Sequence, residues 1–210
     1  VSVRAVKIHG LENITRHIGI IRNFGLEPII AINKFPGDCE NDIDRIRKHC
    51  NLLGIESYLS EAVTRGGNGA IALAEACVRN LQNRRSGFKL LYNDRMPIRE
   101  KVEIVAKQVY GAEGVDYSRN AAASLNHIKD LGLQRLAINI AKTQFSLSDN
   151  PKLKGAPGRW RLKVKDIRIF AGAGFIIPVC GDIMLMPGLP QKPAAWNIDT
   201  DEHGRIKGLF

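Results

Sequence analysis

Apolar positions along residues 12–24 recur every three or four residues, placing Ile14, Ile18, Ile21 and Phe24 on one helical face. Glu12 or Asn13 suits the start of that helix, and Gly25 stands where a helix ends. Residues 2–8 fit a short strand before it. "EPIIAINKF" is a continuous apolar run, the pattern of a strand covered on both faces of a parallel sheet. Residues 38–53 return to helical spacing, with Ile43, Ile46, Cys50 and Leu53 inward and Gly54 as the stop. "ESYLSEAV" predicts a strand and "TRGGNG" a loop. "NGAIALAEACVRNLQ" predicts a helix offering Ile71, Leu73, Ala74, Cys77 and Leu81 to a core. Alternating strands and helices are the signature of an α/β layer with right-handed crossovers.

The grammar changes after "NRRSG" (83–87). Pro97 opens a helix with Ile98, Val102, Val105 and Val109 at helical spacing. Ser118 is placed to cap another, with Ala122, Leu125, Ile128 and Leu131 on one side and Gly132 at its stop. Strands are expected at "LAINIAKT" (136–143) and "RWRLKVK" (159–165). Trp160, Leu162 and Val164 share one face, whereas Ile167 and Ile169 have switched parity. That switch predicts a bulge near Asp166. The Gly- and Pro-rich stretch 171–196 predicts short strands and shaped loops. The expected organisation is therefore an α/β unit over 1–85 followed by a smaller α+β lobe over 86–210.

Composition narrows the classes. With 44% hydrophobic and 25% charged residues in 210, the chain can bury a real core. No apolar run is long enough to span a membrane, and no signal-peptide pattern is present. The formal charge is +10, which favours anionic partners. Its densest basic run, 159–168, alternates with apolar residues as on the wet face of a strand, and no nucleic-acid signature accompanies it. None of Cys39, Cys50, Cys77 and Cys180 forms CxxC. Cys50, Cys77 and Cys180 sit in apolar patterns, so buried free thiols are expected, and no metal site.

Three stretches are candidates for chemistry. In an open α/β sheet, ligands bind beyond the carboxyl ends of the strands, where Asn33 and Lys34 stand. The residue at the spacing of a guanine-reading aspartate is Pro36, so Asp38 is expected to cap the next helix instead. Phe35 and Pro36 suit a rigid apolar wall for a flat ring, or equally a filled seam between the halves. In "TRGGNG" the glycines fit a turn better than a phosphate cradle, and no G-x-x-x-x-G-K-[ST] occurs in the chain. Lys142, Thr143, Ser146 and Ser148 end a strand and suit an anion. Gly172 and Gly174 permit close backbone approach. No nucleophile–base pair is visible.

These segments together resemble one family. "AINKFPGD" (31–38), "SEAVTRGGNGA" (60–70), "KVEIVAKQVYGAEGVDYS" (101–118), "AKTQFSLSDNPKLKG" (141–155) and "AGAGFIIPVCGDIMLMPGLP" (171–190) are similar, in order, to formate–tetrahydrofolate ligase, 10-formyltetrahydrofolate synthetase. "SVRAVKIHG" (2–10) and "NIDTDEHGRIKGLF" (197–210) extend the likeness to nearly the whole chain. The resemblance implies an enzyme that joins formate to tetrahydrofolate with ATP and Mg2+ through formyl phosphate. It implies the C-terminal part of a P-loop-type parallel α/β domain followed by a smaller α+β lobe, with ATP and Mg2+ held mainly by an N-terminal part.

By motif match, Phe35 and Pro36 fall on the family's pterin-binding wall, and Val63 stands where the family places a facing Trp. Asn33 and Lys34, from their place at a strand end, and Lys142, Gly172 and Gly174, from the density of matching motifs around them, are the nucleotide-side candidates. The implied partners are tetrahydrofolate, which is in some cases polyglutamylated, ATP, formate, a separate N-terminal chain and further copies of this chain. Neither nucleic acid nor membrane is implied, and the implied compartment is the cytoplasm. Two functions stay open: the folate-side part of the ligase, inactive alone, or a non-catalytic folate- or nucleotide-binding module derived from it.

Overall fold

The computed structural model describes residues 10–83, 87–181, 183 and 191–208. The strand expected over 2–8 lies outside these residues. The first described element is α1 (Gly10–Asn23), which buries Ile14 and Ile18. Then follow β1 (Ile30–Asn33), α2 (Glu40–Leu52) and β2 (Ser57–Ser60). The strands pair in parallel, with Ile30 opposite Ser57 and Asn33 opposite Ser60. Ile14, Ile18, Ile32, Ile43, Ile46, Cys50 and Ile55 form the buried cluster around this pair.

Two further expectations fail in this unit, besides the "ESYLSEAV" strand, which ends at Ser60, and the "TRGGNG" loop, which is helical. Asp38 does not cap α2: the N-cap is Cys39, whose side chain makes no capping bond. The second concerns the helix after β2. A short α3 (Ala62–Arg65) and a 3₁₀ turn (Gly66–Ala70) lead into α4 (Ile71–Asn83). Only Ala76 of α4 is buried, whereas Ile71, Val78 and Leu81 are exposed and Cys77 is an exposed thiol. The apolar periodicity is present, but among the described residues the sheet has two strands, which cover only a narrow stripe of the helix that packs on it.

The second buried cluster runs from Ile98 to Cys180. It holds α5 (Ile98–Val105), which continues into a π turn (Ala106–Tyr110), then β3 (Gly114–Tyr117) and α6 (Arg119–Asp130). Ser118 caps α6 as expected, its Oγ accepting from the Ala121 N–H at 3.1 Å. With β4 (Ala137–Ile138), β5 (Arg161–Phe170) and β6 (Phe175–Cys180), β3 builds a sheet of order β3-β5-β6-β4. β5 and β6 are antiparallel, while β3 joins β5 and β4 joins β6 in parallel. The sheet is therefore mixed, within an α/β architecture. The register of β5 against β6 shifts between Val164 and Asp166, the bulge that the parity switch predicted. A small antiparallel pair, β7 (Asp199–Thr200) and β8 (Ile206–Lys207), follows.

The strand expected over 136–143 is interrupted, and Pro178 explains it. The Asn139 N–H donates to Ile176 O at 3.0 Å, and the return bond to Asn139 O would come from residue 178. Proline has no N–H to give. The ladder resumes two residues on, where Ala141 N–H donates to Pro178 O at 2.9 Å and Cys180 N–H to Ala141 O at 2.7 Å.

Side chains of α1 reach from the first unit to the second. Arg16 Nη2 donates to Lys107 O at 3.0 Å and its Nε to Val109 O at 3.2 Å, while Asn23 Nδ2 donates to Gln108 O at 3.0 Å. These are carbonyls of the π turn, at a helix end where internal donors run short, although Lys107 O also accepts from the Gly111 N–H at 3.2 Å. Among the described residues no helix is long and apolar enough to cross a membrane.

Burial sorts the thiols. Cys50 and Cys180 are buried, and desolvation raises both, Cys180 to about 12. Cys39 and Cys77 are exposed. A thiol reagent at pH 8 is expected to modify Cys39 and Cys77 at once, and Cys50 and Cys180 only after denaturant is added. Peptide mass mapping of a time course checks this, and rapid labelling of Cys180 in the folded chain would contradict the packing described.

Candidate functional site

Parallel pairing places the carboxyl ends of β1 and β2 side by side, and the Lys34 N–H extends the ladder to Ser60 O at 2.9 Å. Two loops leave this edge together. The first is a tight turn. Asp38 N–H donates to Phe35 O at 3.1 Å, and Asp38 Oδ2 accepts from the Phe35 N–H at 2.8 Å. Pro36 and Gly37 hold its centre, and Gly37 has φ +83°, the arrangement of a type II turn. The Asp38 carboxylate thus fixes the turn that carries Phe35 and Pro36. Phe35 is half-buried and outside the lobe's buried cluster, and Pro36 is exposed.

The second loop carries Val63, which is 66% exposed. The Glu61 N–H donates to Gly69 O at 2.9 Å and closes the loop. Gly69 is required there, because a Cβ would stand 2.6 Å from the Glu61 carbonyl carbon and oxygen. Lys34 ties the two loops together. Its ammonium hydrogen-bonds Glu40 of α2 and lies 4.0 Å from Glu61. The Glu40 hydrogen bond is the main cause of its raised pKa; burial opposes the shift and Glu61 adds to it. Lys34 is already matched by two carboxylates, so it shapes the edge. Asn33 is exposed beside it.

The other candidate residues stand elsewhere. Half-buried Lys142 donates to Thr143 O at 3.1 Å and to Ser146 O, and its Nζ lies 4.8 Å from the centre of the Tyr110 ring. Burial lowers its pKa, with Cys180 and Asp149 opposing. Ser146 and Ser148 are buried and bond each other at 2.8 Å; Ser146 Oγ also reaches Leu153 O, and Ser148 Oγ donates to Asn150 O at 3.1 Å. These groups hold the 141–153 loop in shape. Thr143, Phe145, Asp149 and Lys163 line a cavity of about 690 Å³ beside it. Gly172 and Gly174 lie in the turn between β5 and β6, and Gly174 has φ +78°. The length of β6, about 17 Å, separates that turn from the Lys142 loop.

One edge thus gathers Phe35, Pro36, Val63, Asn33 and Lys34, while Lys142, Gly172 and Gly174 belong to the other sheet. Against this geometry, a family model described as formate--tetrahydrofolate ligase matches residues 2–210. The chain belongs to the formate–tetrahydrofolate ligase family. That is an ATP-dependent ligase family acting on formate and tetrahydrofolate. Among the described residues, no cluster of three or more His, Cys, Asp or Glu converges as a metal site.

Sequence reading missed Arg16, Lys101 and the π turn. Lys101 is fully buried, with Nζ donating to Gln134 O at 2.8 Å and Leu136 O at 3.0 Å. A signal was available: Lys101 falls three residues after Ile98, on the apolar face of its helix.

Gly69→Ala is expected to cost about 1–3 kcal/mol of stability and to open the 61–69 loop. Denaturant unfolding, with amide exchange over 60–70, checks both. Unchanged exchange in that loop would contradict the close approach.

Proposed function

We propose that this chain supplies the tetrahydrofolate-holding side of a formate–tetrahydrofolate ligase. The observation that carries the reading is the parallel register of Asn33 with Ser60, which sets the Phe35–Asp38 turn and the Val63 loop at one sheet edge. In the family's reaction, ATP phosphorylates formate, and the folate N10 attacks the resulting formyl phosphate and displaces phosphate. Phe35 and Pro36 offer the pterin ring a rigid apolar wall, stiffened by the Asp38 carboxylate. Lys34, held between Glu40 and Glu61, keeps the two walls in register.

Val63 offers only a small, exposed apolar face where the family's motif has an aromatic ring. Losing one stacked ring costs on the order of 1 kcal/mol beyond area, so folate affinity is weakened. The sequence contains no G-x-x-x-x-G-K-[ST], so handling of the triphosphate falls to residues outside these 210. The second reading is a non-catalytic folate-binding module, favoured by Val63 alone.

Purified chain given ATP, Mg2+, formate and tetrahydrofolate is expected to form no 10-formyltetrahydrofolate, and turnover would overturn the division of labour. Val63→Trp is expected to raise tetrahydrofolate affinity about fivefold to tenfold by calorimetry. No change would remove Val63 from the pterin wall.

A further inference from the structure

A cavity of about 700 Å³ opens where the start of α5 meets α6 and the 134–135 segment. Arg95, Arg99, Lys129 and Arg135 line it, and none of its lining residues is acidic. Its apolar floor includes Ile98 and Leu125, both buried. The four cations come from three separate stretches of chain, so no single helical pattern produced the cluster.

Two of them are held in position. Arg135 Nη2 lies 3.4 Å from Asp94, and the Arg99 guanidinium stacks 4.5 Å from the centre of the Tyr117 ring. Arg95 and Lys129 form no ion pair among the described residues. Beneath the wall, the buried Lys101 ammonium grips the carbonyls on either side of Arg135, at Gln134 and Leu136. Burial is the main cause of the lowered Lys101 pKa; Asp94 opposes it and the Arg135 charge adds to it. Asp94 is the carboxylate that pairs with this cluster among the described residues. A concave wall of one sign focuses its field on the space it encloses.

We propose that this cavity binds a linear oligoanion, a ligand carrying several carboxylates or phosphates in a row. Guanidinium groups match either anion with paired N–H donors, and three arginines around one space suit successive anionic groups. The cavity is larger than a single phosphate needs and lies within the usual range for small-molecule sites. It uses none of the residues of the β1–β2 edge, so it does not rest on the folate reading.

The test is calorimetric titration of the 210-residue chain with inorganic tripolyphosphate and, separately, with penta-L-glutamate. Saturable one-to-one binding of at least one probe is expected, weakening as salt is raised. Binding of tripolyphosphate alone identifies a phosphate ligand, and binding of penta-L-glutamate alone identifies a polycarboxylate. Arg99→Gln and Arg135→Gln are each expected to weaken it about tenfold. Arg119→Gln, an exposed site on α6 outside the cavity, should leave it unchanged. If a variant fails to fold, amide exchange on the unaltered chain decides: the bound probe should protect 95–101 and 125–135. No saturable binding of either probe, binding indifferent to Arg99 and Arg135, or protection elsewhere would overturn the proposal.

Discussion

Main-chain carbonyls beyond the regular elements need donors, and this chain meets that constraint with long cationic side chains. Arg16 closes the π turn of the second unit, Lys101 holds the 134–136 segment and Lys142 shapes the 141–148 loop. Lys101 and Lys142 place their charge among loop carbonyls, where regular secondary structure supplies no N–H groups. The cost of burial shows in the lowered pKa values of Lys101 and Lys142. Part of the +10 charge is therefore internal scaffolding and not a surface for anions.

That use of charge separates candidate residues which look alike in sequence. Lys34 and Lys142 both follow apolar strands and both looked available to a nucleotide. Lys34 is held between Glu40 and Glu61, and Lys142 is spent on two carbonyls and the face of Tyr110. A different set of cations, Arg95, Arg99, Lys129 and Arg135, gathers around the start of α5, brought together only by folding.

Local physics was legible where it was periodic. Ser118, the parity switch near Asp166 and the inward Ile43–Ile46–Cys50 face could all be read from spacing, because each depends on neighbours within a few residues. The misses share a cause. Asp38 had two partners within reach, the α2 start and the Phe35 N–H, and the Pro36–Gly37 turn decided in favour of the second. α4 carries an apolar face, yet how much of it is covered depends on the width of the sheet beneath. Pro178 cut the 136–143 strand from a neighbouring strand, which no reading of 136–143 alone contains. At the candidate site, the adjacent strand ends were legible; the bonds from Lys34 and Asp38 that fix the loops leaving them were not.

The functional account stands on one geometric statement: the Phe35–Asp38 turn and the Val63 loop form one surface that meets the folate. Amide chemical-shift mapping of the chain with tetrahydrofolate tests it most directly. The account predicts shifts concentrated at 33–38 and 60–69, with the second sheet unaffected. Shifts confined to 141–155 or 171–181, or none at millimolar ligand, would contradict it.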